Sequence, residues 1–340
     1  VNVKPVRWGI LGTANIAVSK VIPAMQRGER CDVLAIASRD LDRGRAAAAA
    51  LGIPCAFGSY DELLADPEIE AVYIPLPNHL HVPWSIRAAE AGKHVLCEKP
   101  IALSATEVGD LVIARDKAGV LMGEAFMVRT HPQWLAVREL IAEGRIGDLR
   151  LVTCTFSYFK RDANNIRNRD DYGGGGLMDI GCYAVNLSRW LFDEEPMEVI
   201  ADVELDPDLR IDRLTSGMMR FPGGQATFTC ATQLVPHQRM QIFGTTGRIE
   251  VEIPFNAPPD RATRIFVDDG RDVFGGGVES IELPVVDQYT LQADRFSEAI
   301  RGMHSIPVPL EDAIANMAVI DALFRSAETR CWQRPAEALG

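Results

Sequence analysis

Short apolar runs alternate with helix-length segments over the first 125 residues, and this alternation limits the fold more than any other feature. Val6 to Leu11 is an apolar run ending at Gly12, and Ile16 to Gln26 has helical spacing. Val33 to Ala37, Ala71 to Ile74, His94 to Cys97 and Val120 to Gly123 are further runs. Leu41 to Leu51, Val82 to Ala91 and Thr106 to Lys117 are the helical segments among them. Runs without polar alternation are strands buried on both faces, so the spacing predicts a doubly wound parallel sheet.

The texture changes after a helical segment at Trp134 to Glu143. Leu149 to Tyr158 alternates, Lys160 to Gly176 is polar and glycine-rich, and Met178 to Phe192 reads as a helix. Strand patterns then follow one another from Val199 to Leu283, with turns at Pro222-Gly223-Gly224 and Gly244-Thr245-Thr246-Gly247. That is antiparallel sheet chemistry. Helices at Gln288 to Arg301 and Leu310 to Arg330 close the chain. The expectation is an α/β domain over 1–125 and an α+β domain over 126–340, with the C-terminal helix able to pack back on the first domain. A length of 340 residues suits two domains.

Composition excludes several function classes. Lys plus Arg number 35 against 47 Asp plus Glu, a net charge of −12 that suits neither nucleic acid nor an anionic membrane. No run of apolar residues is long enough to span a bilayer, and the start, VNVKPVRWGILG, enters a strand directly without a signal-peptide pattern. The seven cysteines form no CxxC pair, which suggests reduced thiols and a cytoplasmic setting. No cluster has metal-ligand spacing, and His79 with His81 reads as loop chemistry rather than a zinc site.

The turn after the first strand, Gly9-Ile-Leu-Gly12-Thr13-Ala14-Asn15-Ile16-Ala17, suits a dinucleotide. Counted from Gly12 it reads Gly-x-Ala-x-x-Ala, a relaxed Rossmann fingerprint. Gly12 allows the tight turn, small residues admit pyrophosphate, and the helix start offers its N–H groups to phosphate. The alternative is a tight turn with no ligand. The second strand ends Ser38-Arg39-Asp40, with Arg43 one turn later. An NAD site usually has an acid at this strand end; a hydroxyl and guanidinium groups favour the 2′-phosphate of NADP. Asp40 falls two residues late and suits a helix cap, while NAD stays open as the other cofactor.

Pro75-Leu76-Pro77-Asn78-His79-Leu80-His81 follows one strand, and Glu98-Lys99-Pro100 ends the next. Ligands bind at the carboxyl ends of such strands. Pro100 stops the strand and restricts the backbone of Lys99. Asp179 and Tyr183 lie four apart on one helix face, after the glycine run 173–176. A phenol with an ordinary pKa of about 10 becomes a usable base if an ammonium group stabilises its phenolate.

Taken together, GILGTANIA, PLPNHLH, AAEAGKHVLCEKP and GGGGLMDIGCYAVNLSRWLF resemble the glucose–fructose oxidoreductase, inositol dehydrogenase and dihydrodiol dehydrogenase family (GFO/IDH/MocA), in order and over nearly the whole chain. The resemblance implies a nicotinamide-dependent oxidoreductase with an open, mostly antiparallel second sheet. It implies catalytic roles for Lys99, Asp179 and Tyr183, the tyrosine marking the branch with sugar and dihydrodiol dehydrogenases. It implies a cofactor side formed by Glu98, Lys99, Pro100 and the loop Leu76, Pro77 and Asn78. His81 matches a motif histidine and is counted on the cofactor side, with substrate contact and a capping or packing role as the alternatives.

Asn164, Asn165 and Arg167, with Asn186 on the helix, suit a polyol; an exposed loop is the alternative for the first three. The resulting expectation is an NADP-dependent oxidoreductase acting on the carbinol or carbonyl of a sugar or related cyclic alcohol. A homodimer or homotetramer through the second sheet is expected, because the strands Ser216 to Phe221 and Thr227 to Thr232 carry apolar or small residues on both faces. A non-catalytic NADP-binding sensor is the alternative on the same fold. A methyltransferase shares the glycine turn but fits Ser38-Arg39 poorly.

Overall fold

A computed structural model describes residues 3–335. The chain divides into two compact units: the part up to Thr130 together with Asp287–Ile314, and His131–Val286 together with the part from Ala315 onward.

In the first unit, β1 (Val6–Leu11), β2 (Cys31–Ala37), β3 (Cys55–Phe57), β4 (Ala71–Ile74), β5 (His94–Glu98) and β6 (Met122–Ala125) form one sheet. The strand order is β3-β2-β1-β4-β5-β6 and every pair is parallel. The order reverses between β1 and β4, which makes the carboxyl ends of these strands the natural ligand crevice of the fold. β1 is central and almost wholly buried, hence its unbroken apolar run. Trp8 is fully buried there; its indole N–H donates to Ser297 Oγ at 3.1 Å and its ring meets Phe296 at 5.8 Å. These contacts dock the helix Gln288–Ile300, 280 residues further on, against the first strand.

In the second unit, β7 (Leu149–Phe159), β8 (Glu198–Leu205), β9 (Asp212–Arg220), β10 (Gln225–Ala231), β11 (Gln233–Gly244), β12 (Arg248–Val251), β13 (Thr263–Asp268) and β14 (Val278–Leu283) form an eight-stranded sheet. Its order is β14-β13-β12-β11-β7-β10-β9-β8. All pairs are antiparallel except β7 with β10, so the sheet is mixed rather than purely antiparallel.

Three local features differ from the sequence reading. β3 and the helix Tyr60–Ala65 are additional elements. The helices after Gly12 and after the glycine run each carry a π-helical turn close to their start, Ala17–Val21 before Ile22–Arg27 and Leu177–Gly181 before Cys182–Phe192. Such wide turns recur at functional sites. No helix among the described residues is long and apolar enough to cross a membrane, and the seven cysteines form no disulfide.

Candidate active site

The first unit gathers the predicted phosphate-binding residues. Gly12 has φ +111°, where a side chain is strained, and a Cβ there would lie 3.0 Å from Leu76 Cδ2. Arg43 donates from Nη2 to the Thr13 carbonyl at 3.1 Å, so the second helix reaches back to the glycine turn. Asp40 caps that helix, its Oδ1 accepting from the N–H groups of Asp42 and Arg43 at 3.1 Å. Ser38 is buried and accepts the Asp40 N–H at 3.2 Å. The Tyr60 hydroxyl lies near Arg39 and Arg43; burial raises its pKa, and both guanidinium groups pull the other way. This cluster of two guanidinium groups and two hydroxyls fits a phosphate monoester. Thr13, Ala14, Asn15 and Ile16 lead from the turn into the π-helical segment.

Lys99 begins just beyond β5, and its bond to Pro100 is cis. Glu98, the last residue of β5, accepts a 2.6 Å hydrogen bond from the Tyr73 hydroxyl. Leu76 and Pro77 follow β4, and Asn78 opens the 3-10 turn Asn78–Leu80. His81 is fully buried. Its Nδ1 is 2.8 Å from the Pro100 carbonyl oxygen and its Nε2 is 2.7 Å from that of Leu76. Both ring nitrogens therefore face backbone. Two acceptors favour a charged ring, but burial, with the Lys99 and His79 charges, pushes the pKa down to about 4.

The second unit builds a polar cluster on the start of its central helix. Asp179 lies in the π-helical turn and Tyr183 one turn on. The Tyr158 hydroxyl donates to Asp179 Oδ2 at 2.5 Å, and Arg167 Nε donates to Oδ1 at 3.1 Å. Burial and the neighbouring carboxylate raise the Tyr158 pKa well above its ordinary value, which keeps that phenol a donor. Tyr183 is largely buried, with its ring 5.2 Å from Phe255 and 6.1 Å from Phe156. Asp212 fixes the helix start: its Oδ2 accepts from Leu177 N–H at 2.6 Å and from the Thr215 hydroxyl at 2.9 Å. Gly175, at φ +109°, passes so close to Asp212 that a Cβ would sit 1.8 Å from its Oδ1.

The remaining predicted polyol contacts separate. Asn164 is exposed. Asn165 caps a 3-10 turn by accepting the Arg167 N–H at 3.1 Å. Arg167, read from sequence as a substrate contact, places its Nε on Asp179. Asn186 is fully buried on the helix Cys182–Phe192.

Residues 6–126 match the family model described as oxidoreductase family, NAD-binding Rossmann fold, and residues 134–250 match the GFO/IDH/MocA C-terminal domain. The chain belongs to the GFO/IDH/MocA oxidoreductase family. It is 50% identical over 329 residues to an uncharacterized oxidoreductase of Rhizobium meliloti, covering 96% of this chain and 98% of that one. It is 40% identical over 325 residues to an NADP(+) D-xylose 1-dehydrogenase of Haloferax volcanii, covering 95% and 97%. A 3-ketoreductase from Actinomadura kijaniata, solved with NADP and TDP-benzene, superposes with a TM-score of 0.88 at 28% identity over 95% of this chain and 98% of that one. The GFO/IDH/MocA protein described here is thus an NAD(P)-binding oxidoreductase acting on CH–OH groups.

Tyr60, Tyr73 and Tyr158 are site-associated residues that sequence reasoning missed. Tyr158 alone carried a signal, at the end of an alternating strand that runs into the polar loop.

Proposed function

We propose that this GFO/IDH/MocA enzyme is an NADP-dependent dehydrogenase of a free sugar or related cyclic alcohol, with aldose oxidation at the anomeric carbon as the leading reaction. The observation that carries the reading is the cluster of Asp179, held by Tyr158 and Arg167, on the same helix as Tyr183. It offers the several donors and acceptors that a polyol requires. The 40% identity to a D-xylose 1-dehydrogenase supports the aldose assignment. Ser38, Arg39 and Arg43 support NADP over NAD.

When bound, a nicotinamide would supply the hydride acceptor for the substrate carbon. In the oxidising direction Tyr183 Oη takes the proton of the substrate hydroxyl. Lys99 supplies the positive charge that stabilises the Tyr183 phenolate. Asp179 orients the hydroxyl-bearing ring, and Arg167 and Tyr158 hold Asp179. Gly12, Thr13, Ala14, Asn15 and Ile16 would hold the pyrophosphate, and Leu76, Pro77, Asn78, Glu98 and Pro100 would hold the rest of the cofactor. Oxidation at an anomeric carbon gives a lactone.

The reading includes self-association through the sheet face that carries Ser216, Met218, Thr227 and Thr229, and a reducing, cytoplasmic setting for its thiols. The test is the absorbance of reduced nicotinamide with NADP+ and a panel of aldoses, ketoses and dihydrodiols. Aldose oxidation is expected; no turnover with any member, despite tight NADP binding, would favour a non-catalytic sensor.

A further inference from the structure

The peptide that joins Pro100 to Ile101 is held from both sides by buried polar side chains. Its carbonyl oxygen lies 2.8 Å from His81 Nδ1, and its N–H donates to Glu124 Oε1 at 2.9 Å. His81 is 0% exposed and Glu124 3%. The sheet does not serve this peptide, because β5 stops at Glu98 and its last pairing with β6 is Glu98 opposite Ala125. A buried peptide beyond the ladder needs other partners. Glu124 is well placed to provide one, since it sits on β6 opposite Cys97. His81 opens the helix that follows β4, and its other nitrogen faces the Leu76 carbonyl.

Burying an imidazole and a carboxylate is costly unless their hydrogen bonds are met, and apolar side chains would fill the same space more cheaply. What these two provide instead is direction. A peptide gripped at both its oxygen and its hydrogen cannot rotate about its long axis, and the residue immediately before Pro100 is Lys99.

We propose that His81 and Glu124 are positioning residues for Lys99, fixing the Pro100–Ile101 peptide so that the lysine side chain leaves the backbone in its working direction. This rests on the reading of Lys99 as the charge that stabilises the phenolate. Both ring nitrogens of His81, and Glu124 Oε1, are engaged on backbone. A misplacement of about 1 Å can cost on the order of a hundred-fold in rate, so removing one grip lowers kcat while leaving binding nearly intact. Glu124→Gln keeps an oxygen able to accept the Ile101 N–H, whereas Glu124→Leu does not.

The experiment compares Glu124→Leu, Glu124→Gln, His81→Phe and Lys99→Met, alone and with Lys99→Met as background. The assay uses NADP+ with D-xylose, or with the panel aldose that the wild type oxidises fastest. Glu124→Leu and His81→Phe are expected to lose roughly ten- to a hundred-fold in kcat, with KM and the NADPH Kd, read by fluorescence, within about three-fold of wild type. Glu124→Gln should recover most of the loss. In the Lys99→Met background the further change should vanish, because a residue acting through another has no separate effect once that one is gone.

Folded Glu124→Leu and His81→Phe enzymes with wild-type kcat, beside a crippled Lys99→Met, would overturn the positioning role and leave the catalytic reading standing. An undiminished loss in the Lys99→Met background would do the same. Wild-type kcat in Lys99→Met, or no aldose turnover by the wild type, would overturn the catalytic reading and this inference with it. If neither apolar variant folds, exchange of the 15N-labelled Ile101 amide decides. Protection matching the β5 amides, retained in Glu124→Gln, is expected, and exchange at an open-loop rate overturns the grip.

Discussion

The Tyr158 hydroxyl donates to Asp179 Oδ2 across 2.5 Å. A strand residue thereby fixes a carboxylate on the helix that also carries Tyr183, and Arg167 holds the second oxygen. With both oxygens held, the Asp179 carboxylate cannot rotate.

Tyr158→Phe removes that donor and little else. Hydrogen bonds to charged groups are worth about 1.5–3 kcal/mol, so kcat/KM on the true sugar should fall by roughly ten- to a hundred-fold. NADPH affinity should not change. Steady-state kinetics beside a fluorescence titration separate the two. An unchanged kcat/KM would mean that Arg167 alone is sufficient to orient Asp179.

In the proposed reading, Arg39 and Arg43 set the nucleotide preference. Loss of one guanidinium–phosphate contact costs about 1.5–3 kcal/mol, or roughly ten- to a hundred-fold in Kd. Arg39→Ala should weaken NADP by that factor and NAD hardly at all. Equal losses for both would remove the 2′-phosphate from the account.

Asp212 titrates against its surroundings. Burial raises its pKa from 3.8 to about 7, and the Leu177 N–H and Thr215 hydroxyl oppose the shift without reversing it. The folded state therefore holds a proton that the unfolded state has released between these values. The contribution to stability is fully present below pH 3.8 and is lost as the pH rises through 7, on the order of 4 kcal/mol in all. Asp212→Asn keeps an oxygen for both donors but does not titrate. Its melting temperature relative to wild type should climb from pH 4 to pH 7.5. A constant difference over that range would mean that Asp212 is ionised throughout.

Where the sequence was legible, the physics was local. The apolar run Val6–Leu11, the glycine after it and the cap at Asp40 are each decided within a few residues, and the structure has them as read. β3 was not legible, because three residues that are exposed or half-buried show neither alternation nor an apolar run. The π-helical turns were hidden for a different reason. Apolar spacing reports which face is buried, and a turn one residue wider barely changes it. The partners of Asp179 lie at different distances along the chain: Arg167 is 12 residues away and Tyr158 21. The grip on Pro100–Ile101 comes from residues 19 and 23 positions away. Only the folded sheet brings such pairs together.

The outer face of the second sheet bears on assembly. Ser216 and Thr229 hydrogen-bond across β9 and β10 at 2.9 Å, with Met218 and Thr227 beside them, while Phe159 and Val235 are 65% and 76% exposed. Light scattering at micromolar concentration should give at least the mass of a dimer. A monomer mass at that concentration would remove self-association from the account.

In the proposed mechanism Tyr183 handles the proton and Lys99 supplies the charge. General acid–base catalysis is typically worth 10²–10⁴-fold, so Tyr183→Phe, which removes a single hydroxyl, measures it most directly. Single-turnover reduction of NADP+ by the aldose that the wild type prefers should be slower by about that factor. The double variant with Lys99→Met should be little slower than the worse single one. A Tyr183→Phe enzyme that transfers hydride at the wild-type rate would contradict the account.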